Sequence, residues 1–382
     1  MKPKVIIFIN WFLPGYKAGG PIKSVVNIVR TLQDEVDFKI VTSNTDFGEP
    51  SPYHHIEPNV WLKQENYQVI YLDEKHQKFS YIKHLLQEEA YDLIYLNSLF
   101  SLNYTLLPIL ARKFSTTYSK IVVAPRGMLG HGALQLKKQK KQIFIKLAKA
   151  LCLFKSVTWH ASTVLEAAEI KAMFGGKANI HVATNIASLA APAQTANSKN
   201  SQNTAFFFLS RISPKKNLLG ALEMLTKLTL NNSITFDIIG PVEDEKYWQQ
   251  CKVMIAGLPS NIVVTYRGAI PNPQLPTLLQ HYHFLLLPTF SENYGHVVVE
   301  SWANNCPVIL SDQTPWQNLE KAQVGWNIPL NNKSRFKEVL EKCVLMQDVE
   351  FQQMCQHIIG FMNKQVVTAE VIEQNRRLFK PC

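Results

Sequence analysis

Two carboxylates separated by seven residues stand out in Ser291–Glu300 (SENYGHVVVE): Glu292 and Glu300, with Tyr294 and Gly295 just after the first. Upstream, the run HFLLLPT (His283–Thr289) predicts a buried strand, and Val297–Asn304 predicts a helix. Glu292 then falls in the strand-to-helix loop and Glu300 on the helix. Eight helical steps would set the two roughly 12 Å apart along the axis. That is too far to share one proton, but it suits two anchors on a long ligand. Between them lies a helix N-terminus, whose free N–H groups and dipole favour a phosphate. Hydroxyl acceptor, phosphate site, hydroxyl acceptor is the order of groups in a sugar nucleotide. The plainer alternative is a helix glutamate facing water and a second one favouring the dipole.

Two further loops carry chemistry. Arg211–Asn217 (RISPKKN) follows the strand-like AFFFLS and precedes a helix beginning near Leu218. Arg211 and Lys216, five residues apart, can grip a diphosphate from two sides, one with a planar fork and one with a point charge. Read alone, the segment is equally a solvated basic turn. Ala18-Gly19-Gly20-Pro21 lies between the first strand and a helix over Ile22–Leu32. Two glycines let a backbone approach a phosphate, and proline suits a first helical turn. The pattern is not GxGxxG, and a tight loop explains it as well.

The elements that must position these loops alternate throughout the chain. Apolar runs at Lys4–Ile9, Phe38–Thr42, Gln68–Leu72, Asp92–Asn97 and Ile121–Ala124 predict strands, each followed by helix-length amphipathic sequence. The second half repeats this at Ala205–Leu209, Thr235–Ile239, Ile262–Tyr266, Phe284–Pro288 and Pro307–Leu310. Continuous apolar strands separated by helices predict parallel sheets covered on both faces. The polar stretch Ala190–Asn203 reads as a linker. The expected fold class is α/β: two doubly wound Rossmann-like domains facing a cleft, with ligands at the carboxyl ends of the strands. The boundaries fall at 1–190, a linker at 191–203, 204–365, and a helix at 366–382 crossing back to the first domain. A chain of 382 residues suits two such cores.

Composition narrows the class. Hydrophobic content of 46% with 18% charged residues is that of a folded globular protein. Six cysteines (Cys152, Cys251, Cys306, Cys343, Cys355, Cys382) show no ligand spacing, which argues for reduced thiols and against a zinc site. The apolar start Val5–Ile9 is too short to span a membrane. A cytoplasmic protein is expected. Seven lysines and no acid fall between Leu134 and Lys155 (Lys137, Lys138, Lys140, Lys141, Lys146, Lys149, Lys155). Without them the formal charge drops from +11 to +4. With Ile143, Leu147, Leu151 and Phe154 at helical spacing, Lys137–Lys155 reads as an amphipathic helix. It either lies on an anionic membrane or packs its apolar stripe on the first domain. Nucleic acid is the poorer partner, because no aromatic platform accompanies the lysines.

These segments together resemble the large retaining glycosyltransferase family of two-Rossmann (GT-B) architecture, often called family 4. The resemblance rests on AGGP, APRGML (Ala124–Leu129), HAST--E (His160–Glu166), SRISPKKN, IIGP (Ile238–Pro241), YRGAI (Tyr266–Ile270), PTFSENYGHVVVE and SDQTPW, in the family's order over about residues 15 to 320. It implies transfer of a sugar from a nucleotide diphosphate donor to a glycan or lipid-linked acceptor in surface polysaccharide biosynthesis. Configuration at the sugar would be retained, with no cofactor and no metal. It further implies Arg211 and Lys216 on the donor diphosphate, Glu292 on the donor sugar and Glu300 on the ribose. Tyr294, Gly295, Gly19, Gly20, Gly240 and Arg267 join the donor site. The chain departs from the family at Arg126, where many members carry a histidine. Arginine stays charged and cannot act as a base, so Arg126 is expected on the acceptor side, neutralising phosphate or holding an acidic acceptor, with His131 nearby. His160 reads as structural. A sugar-nucleotide epimerase of the same fold and a silent sugar-nucleotide-binding protein remain as rivals.

Overall fold

The computed structural model describes residues 2–114, 119–130, 133–134, 138–187 and 198–380. The chain divides into an N-terminal unit of residues 1–186 with 369–382 and a C-terminal unit of 187–368. The N-terminal sheet comprises β1 (Lys4–Phe8), β2 (Asp37–Ser43), β3 (Trp61–Lys63), β4 (Tyr67–Leu72), β5 (Leu93–Leu96), β6 (Lys120–Val123), β7 (Val157–Ala161) and β8 (Asn179–Val182). Their order is β3-β4-β2-β1-β5-β6-β7-β8, parallel except for the β3–β4 pair. The reason the first strand is apolar at every position is visible in β1. Val5 and Ile7 enter one core while Ile6 and Phe8 enter another. Successive side chains point to opposite faces, and both faces are covered, so no polar alternation survives.

The C-terminal sheet is built from β9 (Asn203–Leu209), β10 (Ser233–Ile239), β11 (Ile262–Gly268), β12 (Phe284–Leu287), β13 (Val308–Ser311) and β14 (Gly325–Ile328). All are parallel in the order β11-β10-β9-β12-β13-β14. Two parallel-sheet α/β domains are thus present, as the apolar runs predict.

Three stretches differ in bounds or packing from the sequence expectation. Part of the predicted linker, 190–197, lies outside the described residues, but Lys199 is packed rather than tethering. It is 2% exposed, its Nζ donates to the carbonyls of Asn200 at 2.7 Å and Val344 at 3.2 Å, and its N–H donates to Asp348 at 2.8 Å. The final helix begins at Ala369 and ends at Leu378. Val371, Leu378 and Phe379 enter the N-terminal unit's core, and Arg376 donates to Glu35 at 2.6 Å. The basic helix spans Lys138–Ala150, and of the two alternatives for its apolar stripe, packing on the first domain does not hold for Ile143, Leu147 and Leu151. Phe144, Ile145 and Ala148 face the core with Phe154, whereas Ile143, Leu147 and Leu151 are exposed.

Candidate functional site

Sheet order decides where the chemistry-bearing loops meet. From β9 the chain runs outward through β10 to β11, then returns to place β12 on the other side of β9. The loops leaving β9 and β12 therefore diverge from a switch point, the usual ligand position in such sheets. Here those loops are RISPKKN and the PTFSENYG segment. They are stitched together: the Phe290 N–H and the Thr289 hydroxyl both donate to the Lys215 carbonyl, at 2.9 and 3.1 Å, and Asn217 donates to the Pro288 carbonyl at 2.8 Å. The loop after β13 joins them, with the Glu292 N–H on the Gln313 carbonyl at 3.0 Å and the Trp316 indole on the Tyr294 carbonyl at 2.5 Å.

Lys216 Nζ and Glu292 Oε2 lie 2.5 Å apart, their side chains only 12% and 14% exposed. Burial pushes the Glu292 carboxyl up, but the Lys216 ammonium, with help from Lys215, outweighs it and holds the group below its ordinary range. Arg211 leans the other way and donates to Glu243, beyond β10, at 2.9 Å. The two cations thus flank the end of β9 from opposite sides, each with a carboxylate neighbour the spacing alone did not show. Gly295 is at φ 81°, capping the helix His296–Ala303 that carries the half-buried Glu300. Tyr294 is buried, its ring against His296 and Trp316.

Two expected donor residues have local explanations. At Gly240 (φ 140°), a Cβ would lie 2.0 Å from the Ser210 carbonyl oxygen, so glycine is required for the β9 and β10 loops to pass. Arg267, at the edge strand β11, donates to the buried Asp237 at 2.7 Å, and the Tyr282 hydroxyl donates to the same oxygen at 2.5 Å. No hydrogen bond among the described residues links Arg267 to the β9 and β12 loops.

In the N-terminal unit, the switch point lies between β1 and β5. Gly19 (φ 71°) caps the helix Gly20–Leu32 with open space where its Cβ would be. Asn97, just past β5, donates to the Pro21 carbonyl at 3.2 Å and accepts from Arg126 Nε at 2.7 Å. Arg126 also donates to Asn185 and to the Tyr95 hydroxyl, at 2.7 Å for the latter. That hydroxyl lies 2.7 Å from His160 Nδ1, while His160 Nε2 lies 2.8 Å from the Ala183 carbonyl. A carbonyl only accepts, so Nε2 carries the proton, Nδ1 accepts from Tyr95, and Tyr95 accepts from Arg126. Burial, then the Arg126 charge, holds the His160 pKa well below 6.5. The Tyr95 hydroxyl is pushed up to about 12, chiefly by burial. His160 is on β7 itself, as a structural residue. His131 lies outside the described residues.

Glu166 was missed as a working residue, although HAST--E contains it. It is buried, accepting from the Gly127 N–H at 2.6 Å and from both the N–H and the hydroxyl of Ser162 at 2.8 and 2.7 Å. It thereby fixes the left-handed Arg126-Gly127 turn (φ 54° and 72°). Also unforeseen is a cavity of about 480 Å³ lined by Asn10, Trp11, Asn44, Glu49, Asp73 and Gln77 among others, at the ends of β1, β2 and β4. Its residues come from four separate segments, so no local motif announces it.

Residues 192–358, nearly all of the C-terminal unit, match the family described as "Glycosyl transferases group 1". That match supports a glycosyltransferase. Among solved structures, Anabaena Alr3699/HepE in complex with UDP and glucose superposes with a TM-score of 0.72 at 15% identity, covering 98% of both chains. Sucrose-phosphate synthase from Thermosynechococcus elongatus gives 0.69 at 12% identity over 99% of each chain. The lipopolysaccharide outer core galactosyltransferase WaaB gives 0.59 at 14% identity, covering 99% of this chain and 98% of that one. No curated protein matches in sequence. At these identities the neighbours establish the GT-B fold.

Proposed function

We propose that the chain is a retaining glycosyltransferase that moves a hexose-type sugar from a nucleotide diphosphate donor to an acceptor hydroxyl in surface polysaccharide biosynthesis. The observation that carries this is the junction of the β9 and β12 loops, with Lys216 on Glu292 at 2.5 Å and Arg211 across the end of β9, inside the family-matched segment. Neighbours of the same fold bind UDP-glucose, in HepE, and act in lipopolysaccharide outer core synthesis, in WaaB. Arg211 and Lys216 hold the diphosphate; Glu292 receives sugar hydroxyls and Glu300 the ribose; the helix at Gly295 offers its amides to phosphate.

In the reaction the bond from the sugar's anomeric carbon to the phosphate oxygen breaks, and the nucleoside diphosphate departs with the electron pair. The acceptor oxygen bonds to that carbon on the same face, and its proton passes to the departing phosphate. Charge on the leaving group is met by Arg211 and Lys216 without a metal or other cofactor, an electrostatic role. Arg126, bonded to Asn97, Asn185 and Tyr95, acts as a positioning residue for the N-terminal loops, and the cavity with Glu49, Asp73, Asn44 and Trp11 receives a glycan or lipid-linked acceptor. Scattered free cysteines suit a cytoplasmic location, and no described helix is long and apolar enough to cross a membrane.

Incubating the protein with a panel of UDP- and GDP-sugars, with and without glycan acceptors, separates this reading from its rivals. Transfer requires donor and acceptor together, and NMR of the product should show the donor's anomeric configuration. An isomerised sugar formed from donor alone would indicate an epimerase, and binding without turnover a silent protein.

A further inference from the structure

We infer that the outward face of the helix Lys138–Ala150 is a docking surface for an anionic lipid bilayer, a property that does not rest on the glycosyl-transfer reading. The helix has two apolar faces, and among the described residues only one of them is packed. Inward, Phe144 meets the Phe100 ring with centroids 5.2 Å apart, and Ile145 and Ala148 are buried beside it. Outward, Ile143, Leu147 and Leu151 are 58%, 57% and 63% exposed. Single exposed apolar residues are ordinary, but Ile143 and Leu147 stand at successive turns of one helix, and Leu151, just past its end, keeps the helical bond of its N–H to the Leu147 carbonyl at 2.9 Å. At about 100° per residue they fall within a single arc. Lys140 and Lys146 are exposed on the same outward side, with Lys149 and Lys155 also exposed. Lys141 is not part of this set, since it turns inward over Phe100 and donates to the Ala133 carbonyl at 2.6 Å.

Charge chooses the occupant. From Leu134 to Lys155 the sequence has no acid, so every charged side chain of the segment is a cation. A second copy of the chain would bring the same lysines against this face and be repelled. Anionic headgroups are attracted, each lysine near the surface strengthening binding about fivefold. Isoleucine and leucine side chains then enter the headgroup–acyl boundary while the lysine stems reach outward to the phosphates.

The test is co-sedimentation of the full chain with phosphatidylcholine vesicles, with and without phosphatidylglycerol. Binding should need the anionic lipid and weaken with salt. Replacing Ile143, Leu147 and Leu151 together with Gln, or Lys140, Lys146 and Lys149 together with Gln, should each lower vesicle affinity at least about tenfold. Because all six are on the surface, melting temperature should not change. The single Leu147→Glu variant, expected to weaken binding as well, decides the matter if a triple variant melts low. Unchanged binding in these variants, equal binding to neutral vesicles, or a lipid-free dimer dispersed by the apolar substitutions would overturn the proposal.

Discussion

Lys216 and Glu292 illustrate how one contact can serve two ends. Largely withdrawn from water, each charge depends on the other, and deleting one partner of such a pair costs about 3 kcal/mol because the survivor is left uncompensated. Lys216→Ala should therefore lower the melting temperature more than Lys216→Ala with Glu292→Ala, and a double-mutant cycle by thermal melts will show the coupling; additive losses would mean that the pair is not a unit. His160 makes a pH prediction. Its folded pKa lies well below 6.5, so below about pH 6.5 the unfolded chain binds a proton that the fold refuses. Stability should be complete above that pH and decline as pH falls. His160→Asn, which cannot gain that charge, should lose less stability between about pH 7 and pH 5 in urea titrations. The residue types in RISPKKN and SENYG were legible in sequence. Their pairing was not, because Lys216 and Glu292 are brought together by strand order rather than by spacing.

At the level of elements, Lys199 ties the end of the helix Lys333–Leu345 to the start of β9. Its ammonium answers carbonyls that the helix leaves without donors. Lys199→Met keeps the stem and removes the donors, and should cost about 1–3 kcal/mol, read as a lower melting temperature. An unchanged value would mean that water serves the carbonyls equally well. In sequence the segment has the look of a polar linker, because one buried lysine leaves no apolar period. The same logic separates found strands from missed ones. β1 and β12 are continuous apolar runs, whereas β8 (NIHV) has no fully buried residue and β3 is an antiparallel edge of three residues. β7 (VTWHA) hides a histidine whose partners, Tyr95 and Ala183, are distant in sequence. The stripe Ile143, Leu147 and Leu151 is exposed rather than packed on the first domain, and a second apolar side, Phe144, Ile145 and Ala148, takes the packed position.

Over the whole molecule, the chain leaves the N-terminal unit once and returns to it in the last helix. Val371, Leu378 and Phe379 are buried there, and each is worth about 1.5–3 kcal/mol. Deleting residues 369–382 should lower the stability of the N-terminal unit selectively. Calorimetry should show one transition moved down and the other, from the C-terminal unit, in place; a common shift of both would contradict this division of the core.

The most direct test of the donor site is calorimetric titration of the protein with UDP- and GDP-sugars, repeated on Lys216→Ala. Saturable binding of one such donor by the native chain, weakened at least about fiftyfold in the variant, is the expected result for loss of a charge-assisted phosphate contact. Equal affinity in both proteins, or no binding of any donor, would contradict the assignment of the β9 and β12 loops.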